Sequence, residues 1–311
     1  MLNNLSELYT DIIHELKNNN IDIDNCNDLD KILIIIFYIA STNEYSFLIS
    51  REVYGRCKIV LFNNKDLDTK ELFINHIKQE STLSYKFKSK LHNIKYNILK
   101  AIKIIPIIGP DGVGKTTLIE KVMEKIDEVI VYKRFKKIVR RSIIYNILHP
   151  INKTILKKRY GKKLEKDQHD DLNPKLIIVA GLIYYPYLIF ITLFKRKIVF
   201  IDRFFNDILL ENISFMDKTT HLRYKWDILL IFIPRVFCLI HLDAKTNIIM
   251  QRKDELSSDD IDKYRKLNFK IYLKKPAMIY SYINTGNEID ICKNTLLNTL
   301  DKYNIISAVQ R

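Results

Sequence analysis

Glycine is scarce in this chain, with seven in 311 residues, and so are cysteine, with four, and tryptophan, with one. Cys26, Cys57, Cys238 and Cys292 lie far apart, with no C-x-x-C pair. That spacing excludes a zinc ribbon and a disulfide framework, and fits reduced thiols of a cytosolic protein. No basic region followed by an apolar run opens the sequence, so no signal peptide is expected. His14, His76 and His92 stand alone, and a lone histidine is ordinarily a surface or packed residue rather than a ligand. No internal repeat is visible. Acidic residues are missing from one long stretch: Lys133 to Lys163 holds twelve Lys or Arg and no Asp or Glu, in a chain of formal net charge +15. Such a stretch suits an acidic partner, whether nucleic acid, a phosphorylated substrate or an anionic membrane. With 47% hydrophobic and 28% charged residues, the default is a globular soluble protein with ample core.

The glycines that are present are concentrated. Three of the seven fall in Gly109-Pro110-Asp111-Gly112-Val113-Gly114-Lys115-Thr116, with Thr117 following. This fits the phosphate-binding pattern G-x-x-x-x-G-K-[ST], and the context is right. Lys103 to Ile108 reads as a short buried strand, and Thr117 to Ile126 as a helix with apolar positions at 118, 119, 122, 123 and 126. Glycine lets the backbone approach a pyrophosphate, and loop amides with a helix N-terminus offer donors to an anion. Lys115 is expected to reach the β/γ-phosphates of ATP, and Thr116 to hold Mg²⁺.

From 103 onward, strand patterns at 103–108, 129–133, 197–201, 235–242 and 278–284 alternate with helical ones, which predicts an α/β domain with a parallel sheet. Residues 1–101 are expected to form a small, mainly helical extension. Leu5, Leu8, Ile12, Ile13 and Leu16 share a helix face, Leu29–Ala40 reads as a second apolar helix or a buried run, and Leu67–Ile77 and Tyr85–Ala101 read as helical. Tyr45 to Phe62, around Gly55, suggests a hairpin. Leu176 to Phe194 is uncharged and long enough to span a bilayer. Gly181, Pro186 and three tyrosines interrupt it, and it runs into a strand the domain needs. A buried helix is therefore expected.

Lys197 to Ile201 is a hydrophobic strand ending in Asp202-Arg203. Ligands of open α/β sheets sit at the carboxyl ends of strands, so Asp202 is placed near a transferred phosphoryl group, on Mg²⁺ or on the attacking oxygen. Arg203 offers a two-pronged fork to an acceptor anion. Asp243 reads as the N-cap of a helix beginning near Lys245. Arg252 and Lys253, at the far end of that helix, read either as a lid over ATP or as cations at a helix C-terminus.

Together these pieces make residues 103–305 resemble the thymidylate kinase-like branch of P-loop nucleoside monophosphate kinases. The resemblance rests on Gly109–Thr117, on Asp202-Arg203-Phe204, and on Leu242-Asp243 leading to Arg252-Lys253. It implies a three-layer P-loop NTPase fold with a five-stranded parallel sheet over 102–311, with ATP and Mg²⁺ as cofactors. It also implies catalytic Lys115, Asp202, Arg203 and Arg252, acceptor contacts from Asp111, Asp202 and Arg203, and metal ligation by Thr116 and Asp202. Where that family carries Arg-Glu-Pro-Gly-Gly, this chain has Tyr132-Lys133-Arg134-Phe135-Lys136-Lys137. The acceptor is therefore left open: a dTMP-like nucleoside monophosphate, or a sugar, glycan or lipid-linked phosphate. A nucleotide-dependent switch is the other reading.

Within 133–163, Ile138, Val139, Ile143, Ile144, Ile147, Leu148, Ile151, Ile155 and Leu156 recur at helical spacing among cations, with Pro150 expected to break the helix. This segment is either a helix packed by its apolar side or a contact with an anionic membrane or substrate. The expected setting is cytoplasmic, with peripheral contact at the inner membrane face. Nucleic acid is not the expected partner, because no stacking motif accompanies the cations. A homodimer is compatible with this reading.

Overall fold

The computed structural model describes residues 33–37, 40, 45–51, 56–63, 69–75, 82–160, 174–205, 207–208, 232–253, 256–274 and 277–306. The expected helix face Leu5–Leu16, the Gly55 turn and the cations at 162 and 163 lie outside them. The described elements are β1 (Tyr45–Ser50), β2 (Arg56–Asn63), β3 (Thr69–Asn75), α1 (Thr82–Ala101), β4 (Ile104–Ile108), α2 (Lys115–Met123), β5 (Ile130–Arg134), α3 (Phe135–Arg140), α4 (Ile143–Tyr160), α5 (Pro174–Phe194), β6 (Ile198–Asp202), β7 (Cys238–Asp243), α6 (Thr246–Arg252), α7 (Ser258–Lys274), β8 (Ile279–Asn284) and α8 (Ile289–Lys302).

One mixed sheet of eight strands runs in the order β3-β2-β1-β8-β7-β4-β6-β5. It is larger than the five-stranded sheet expected. The strands β4 to β8 are mutually parallel, and β1 adds to β8 antiparallel, with Phe47 opposite Tyr282 and Ile49 opposite Tyr280. The cause is the edge of β8: every residue of that strand is buried, and an open edge there would strand a row of unpaired backbone groups. Where the segment before residue 102 is described, helix at 33–37, 40 and 82–101 stands beside three strands. Its hairpin β1–β2 and the strand β3 belong to the same sheet as β4, the strand that leads into the glycine loop. Thr69–Asn75 lies inside the run expected to be a helix. Its apolar core, Leu72-Phe73-Ile74, is too short for its period to decide, and pairing with β2 makes it a strand.

Helices cover both faces. On one side Phe135, Val139, Tyr145, Ile177, Leu188, Phe204, Phe269 and Tyr272 share a core with helical residues 33–37. On the other, Leu118, Val122, Leu296 and Leu300 pack over Ile105, Ile107 and Ile240. β4, β6, β7 and β8 are buried at every residue, as a parallel sheet covered twice requires.

Two expectations about helices need correcting. Pro150 lies inside α4, which continues from Ile143 to Tyr160. The break falls earlier, at Ser142, whose hydroxyl accepts from the Tyr145 N–H at 3.2 Å and caps α4. Tyr145 and Leu148 anchor the first turns of α4 in the core, which offsets the hydrogen bond a proline removes. α5 is buried along one side only, through Leu176, Ile177, Ile178, Ala180, Tyr185 and Leu188. Over Leu176–Phe194, long and apolar enough to cross a membrane, 44% of the most apolar stretch is buried. Val179, Ile183, Tyr187, Phe190 and Phe194 form its open side.

Candidate active site

The chain leaves β6 on one side of β4 and returns as β7 on the other. This reversal opens a crevice at the carboxyl end of β4, where Gly109 begins the loop. Gly109, Gly112 and Gly114 have φ of 152°, 85° and 86°. Packing adds a second demand. A Cβ on Gly109 would sit 2.3 Å from the Leu242 carbonyl oxygen, and one on Gly112 would sit 3.0 Å from Lys253 Cβ. The loop is thus pressed between β7 and the end of α6. Thr285 Oγ1 fastens it by donating to the Val113 carbonyl at 2.8 Å, and the Gly109 N–H donates to Tyr264 Oη at 2.8 Å.

Lys115 is buried, and its ammonium donates to the Gly109 and Pro110 carbonyls at 2.7 and 2.9 Å. Burial lowers its pKa below the ordinary lysine value, against the pull of Asp207, Asp202 and Asp111. Thr116 and Thr117 are exposed at the first turn of α2.

Asp202 is 1% exposed. Its Oδ2 accepts from Tyr132 Oη and Arg134 Nε, both at 3.2 Å, while its buried Oδ1 has no partner. The Tyr132 hydroxyl also lies beside Thr116, so one phenol stands next to both residues expected to hold metal. Burial, then the Asp202 charge, raises the Tyr132 pKa. Arg203 follows at φ 58°, a left-handed conformation unusual for a residue with a side chain. Its guanidinium pairs with both oxygens of Asp111, the loop's third residue. Lys115 and Lys253 each approach Asp111 to 3.8 Å. Burial raises the Asp111 pKa, but Arg203 and the two lysines outweigh it and hold the carboxyl below its usual value.

Beside this pair lies a cavity of about 200 Å³ lined by Pro110, Asp111, Arg203, Asp207, Lys263 and Tyr264, among others. Asp207 is its buried acid. One oxygen accepts from Tyr264 Oη and the other has no partner. Burial pushes the Asp207 pKa up to about 7. The Tyr264 phenol, also buried and beside Asp207, is raised well above 10.

Arg252 lies at the loop: its Nη2 donates to the Thr285 carbonyl at 3.0 Å, and its Nη1 is 4.0 Å from the place of a Cβ on Gly114. Asp243 does not cap α6, whose N-cap, Lys245, makes no side-chain cap bond. Asp243 is wholly buried instead and accepts from Arg265 Nε at 2.7 Å and Tyr282 Oη at 2.9 Å. An internal partner nearby, Arg265, outcompetes the local turn for that carboxylate.

The sequence-predicted residues therefore meet: Gly109–Thr117, Asp202, Arg203 and Arg252 surround one crevice. Asp207 and Tyr264 escaped the sequence reading. Asp207 stands five residues after Asp202, beyond the strand, and Tyr264 belongs to a helix 155 residues from Gly109 with no local motif. The residues fit a Mg²⁺ ion, since Thr116 and the unpartnered oxygen of Asp202 are hard oxygen donors beside the glycine loop. Among the described residues no group of three or more His, Cys, Asp or Glu forms a metal cluster of its own, so phosphate oxygens and water would complete the shell.

No family model matches this chain, and no curated protein does. Among solved structures, it is similar to deoxyadenosine kinase from M. mycoides with products dCMP and dCDP, at 12% identity and a TM-score of 0.41, over 64% of this chain and 99% of that one. The same enzyme with bound dCTP aligns at 13% identity and a TM-score of 0.38, over the same shares. What those enzymes bind is a property of those enzymes.

Proposed function

We propose that the chain is a phosphotransferase of the thymidylate kinase-like type, moving the γ-phosphoryl group of ATP to a nucleoside monophosphate or a similar small anionic acceptor. The observation that carries this is the meeting of Asp202, with its free buried oxygen, and Arg203 at the phosphate-binding loop. In this reading the loop amides and Lys115 hold the donor phosphates, and Arg203 exchanges Asp111 for the acceptor anion. Asp202 keeps one oxygen tied to Tyr132 and Arg134 and presents the other to the site. Arg252, at the loop's edge, faces charge spreading onto the migrating group. Mg²⁺, when bound through Thr116 and Asp202, would neutralise phosphate charge. Catalysis is then mainly positioning and charge stabilisation.

The test is labelled phosphoryl transfer from ATP to a panel of dTMP, dUMP, other nucleoside monophosphates, nucleosides and sugars. Transfer to a monophosphate supports the proposal. Transfer only to a sugar keeps the kinase and replaces the acceptor. Slow hydrolysis indifferent to every acceptor points to a nucleotide switch.

A further inference from the structure

The helix that precedes β4 carries chemistry that the phosphotransferase reading leaves unused. The helix α1 contains Lys86, Lys88, Lys90, Lys95 and Lys100 and no Asp or Glu. Four of its large apolar residues are exposed: Phe87 at 65%, Leu91 at 50%, Ile94 at 48% and Ile98 at 57%. At roughly 100° per residue, these four fall within a sector about 60° wide. Lys86 and Lys90 border that sector on one side, and Lys88 and Lys95 on the other. The opposite side of the helix is the one held by the protein. Tyr96 meets the Phe237 ring edge-on at 5.1 Å between centroids, and Leu99 packs on the same core.

We infer that α1 is an interfacial helix that docks the protein on an anionic membrane surface, its apolar stripe in the acyl boundary and its lysines among the headgroups. An apolar strip with cations along both borders is the arrangement such a surface selects, since it answers hydrocarbon and negative charge at once. The helix is about 30 Å long, enough to span a bilayer, but five lysines along it forbid spanning and leave the in-plane orientation. The open side of α5 is wider, yet that helix carries no charge between Leu176 and Phe194 to choose an anionic surface. Docking through α1 does not depend on the transfer reaction.

The experiment is flotation of the full chain with vesicles of phosphatidylcholine alone or of equal parts phosphatidylcholine and phosphatidylserine. Recovery is expected only with the anionic vesicles, falling as salt rises. Lys86→Gln with Lys90→Gln should weaken partitioning roughly 25-fold, at about fivefold per lysine. Phe87→Asp with Ile94→Asp should abolish it. All four positions face outward, so both variants should keep the wild-type thermal melt. The lysine variant keeps the test decisive if the aspartates unfold the chain. Equal recovery with neutral vesicles, binding untouched by the lysine variant, or self-association lost in either variant would overturn the proposal; the last would make α1 a contact between copies.

Discussion

Asp207 should make this protein lose stability as the pH rises from about 3.8 to about 7, and Asp207→Asn should remove that loss. An aspartate in the unfolded chain ionises near 3.8, whereas in the fold Asp207 holds its proton up to about 7. Between those values the native state binds a proton that the unfolded state has released, so stability falls with rising pH. The contribution is complete below 3.8, declines across the window and is gone above about 7. At about 1.4 kcal/mol per pH unit, the full swing is on the order of 4 kcal/mol. The groups facing Asp207 are Tyr264, Lys115, Arg203 and Asp202, and burial outweighs the two cations. Asparagine keeps the shape and an oxygen for the Tyr264 hydroxyl but does not titrate. The assay is urea unfolding of both proteins at several values between about pH 4 and about pH 8. The wild type should show the steeper decline, and the difference between the two curves should flatten above about pH 7. Parallel curves would refute the reasoning, because they would mean that Asp207 is already charged in the fold.

Other residues give sharper outcomes. Asp243→Ala should destabilise by about 3 kcal/mol in urea melts, since the nearly buried Arg265 guanidinium loses both bonds to Asp243 and keeps only the exposed Asp262 as a carboxylate partner. Gly109→Ala should cost at least about 2 kcal/mol, because its methyl would meet the Leu242 carbonyl, and nucleotide binding should fall with it in calorimetric titration. Arg203→Lys should raise the acceptor KM by about tenfold or more and leave the ATP KM nearly unchanged, because lysine cannot supply the fork.

The site was legible where chemistry is written locally. A glycine loop needs its three glycines within a few residues, and Asp202-Arg203 ends a strand whose apolar run announces it. Partners set by tertiary packing were not legible. Arg265 takes Asp243 away from its expected helix cap across 22 residues. Tyr264 reaches Gly109 across 155. The sheet extension was legible only in part: Tyr45 to Phe62 reads as a hairpin and β1–β2 pair as one, but nothing local announces its pairing with β8, and β3 reads equally as a helix turn until β2 lies beside it. Pro150 shows the reverse case, a local signal overridden by the core contacts of Tyr145 and Leu148.

In this proposal the loop from Gly109 to Thr117 holds the triphosphate while Asp202 and Arg203 face it. A crystal structure with Mg²⁺ and a non-hydrolysable ATP analogue tests it most directly. The β- and γ-phosphates should be cradled by the loop amides, with the ammonium of Lys115 moved from the Gly109 and Pro110 carbonyls onto them, and the metal between Thr116 and Asp202. A nucleotide seated elsewhere, or Lys115 still on those carbonyls with the analogue bound, would contradict it.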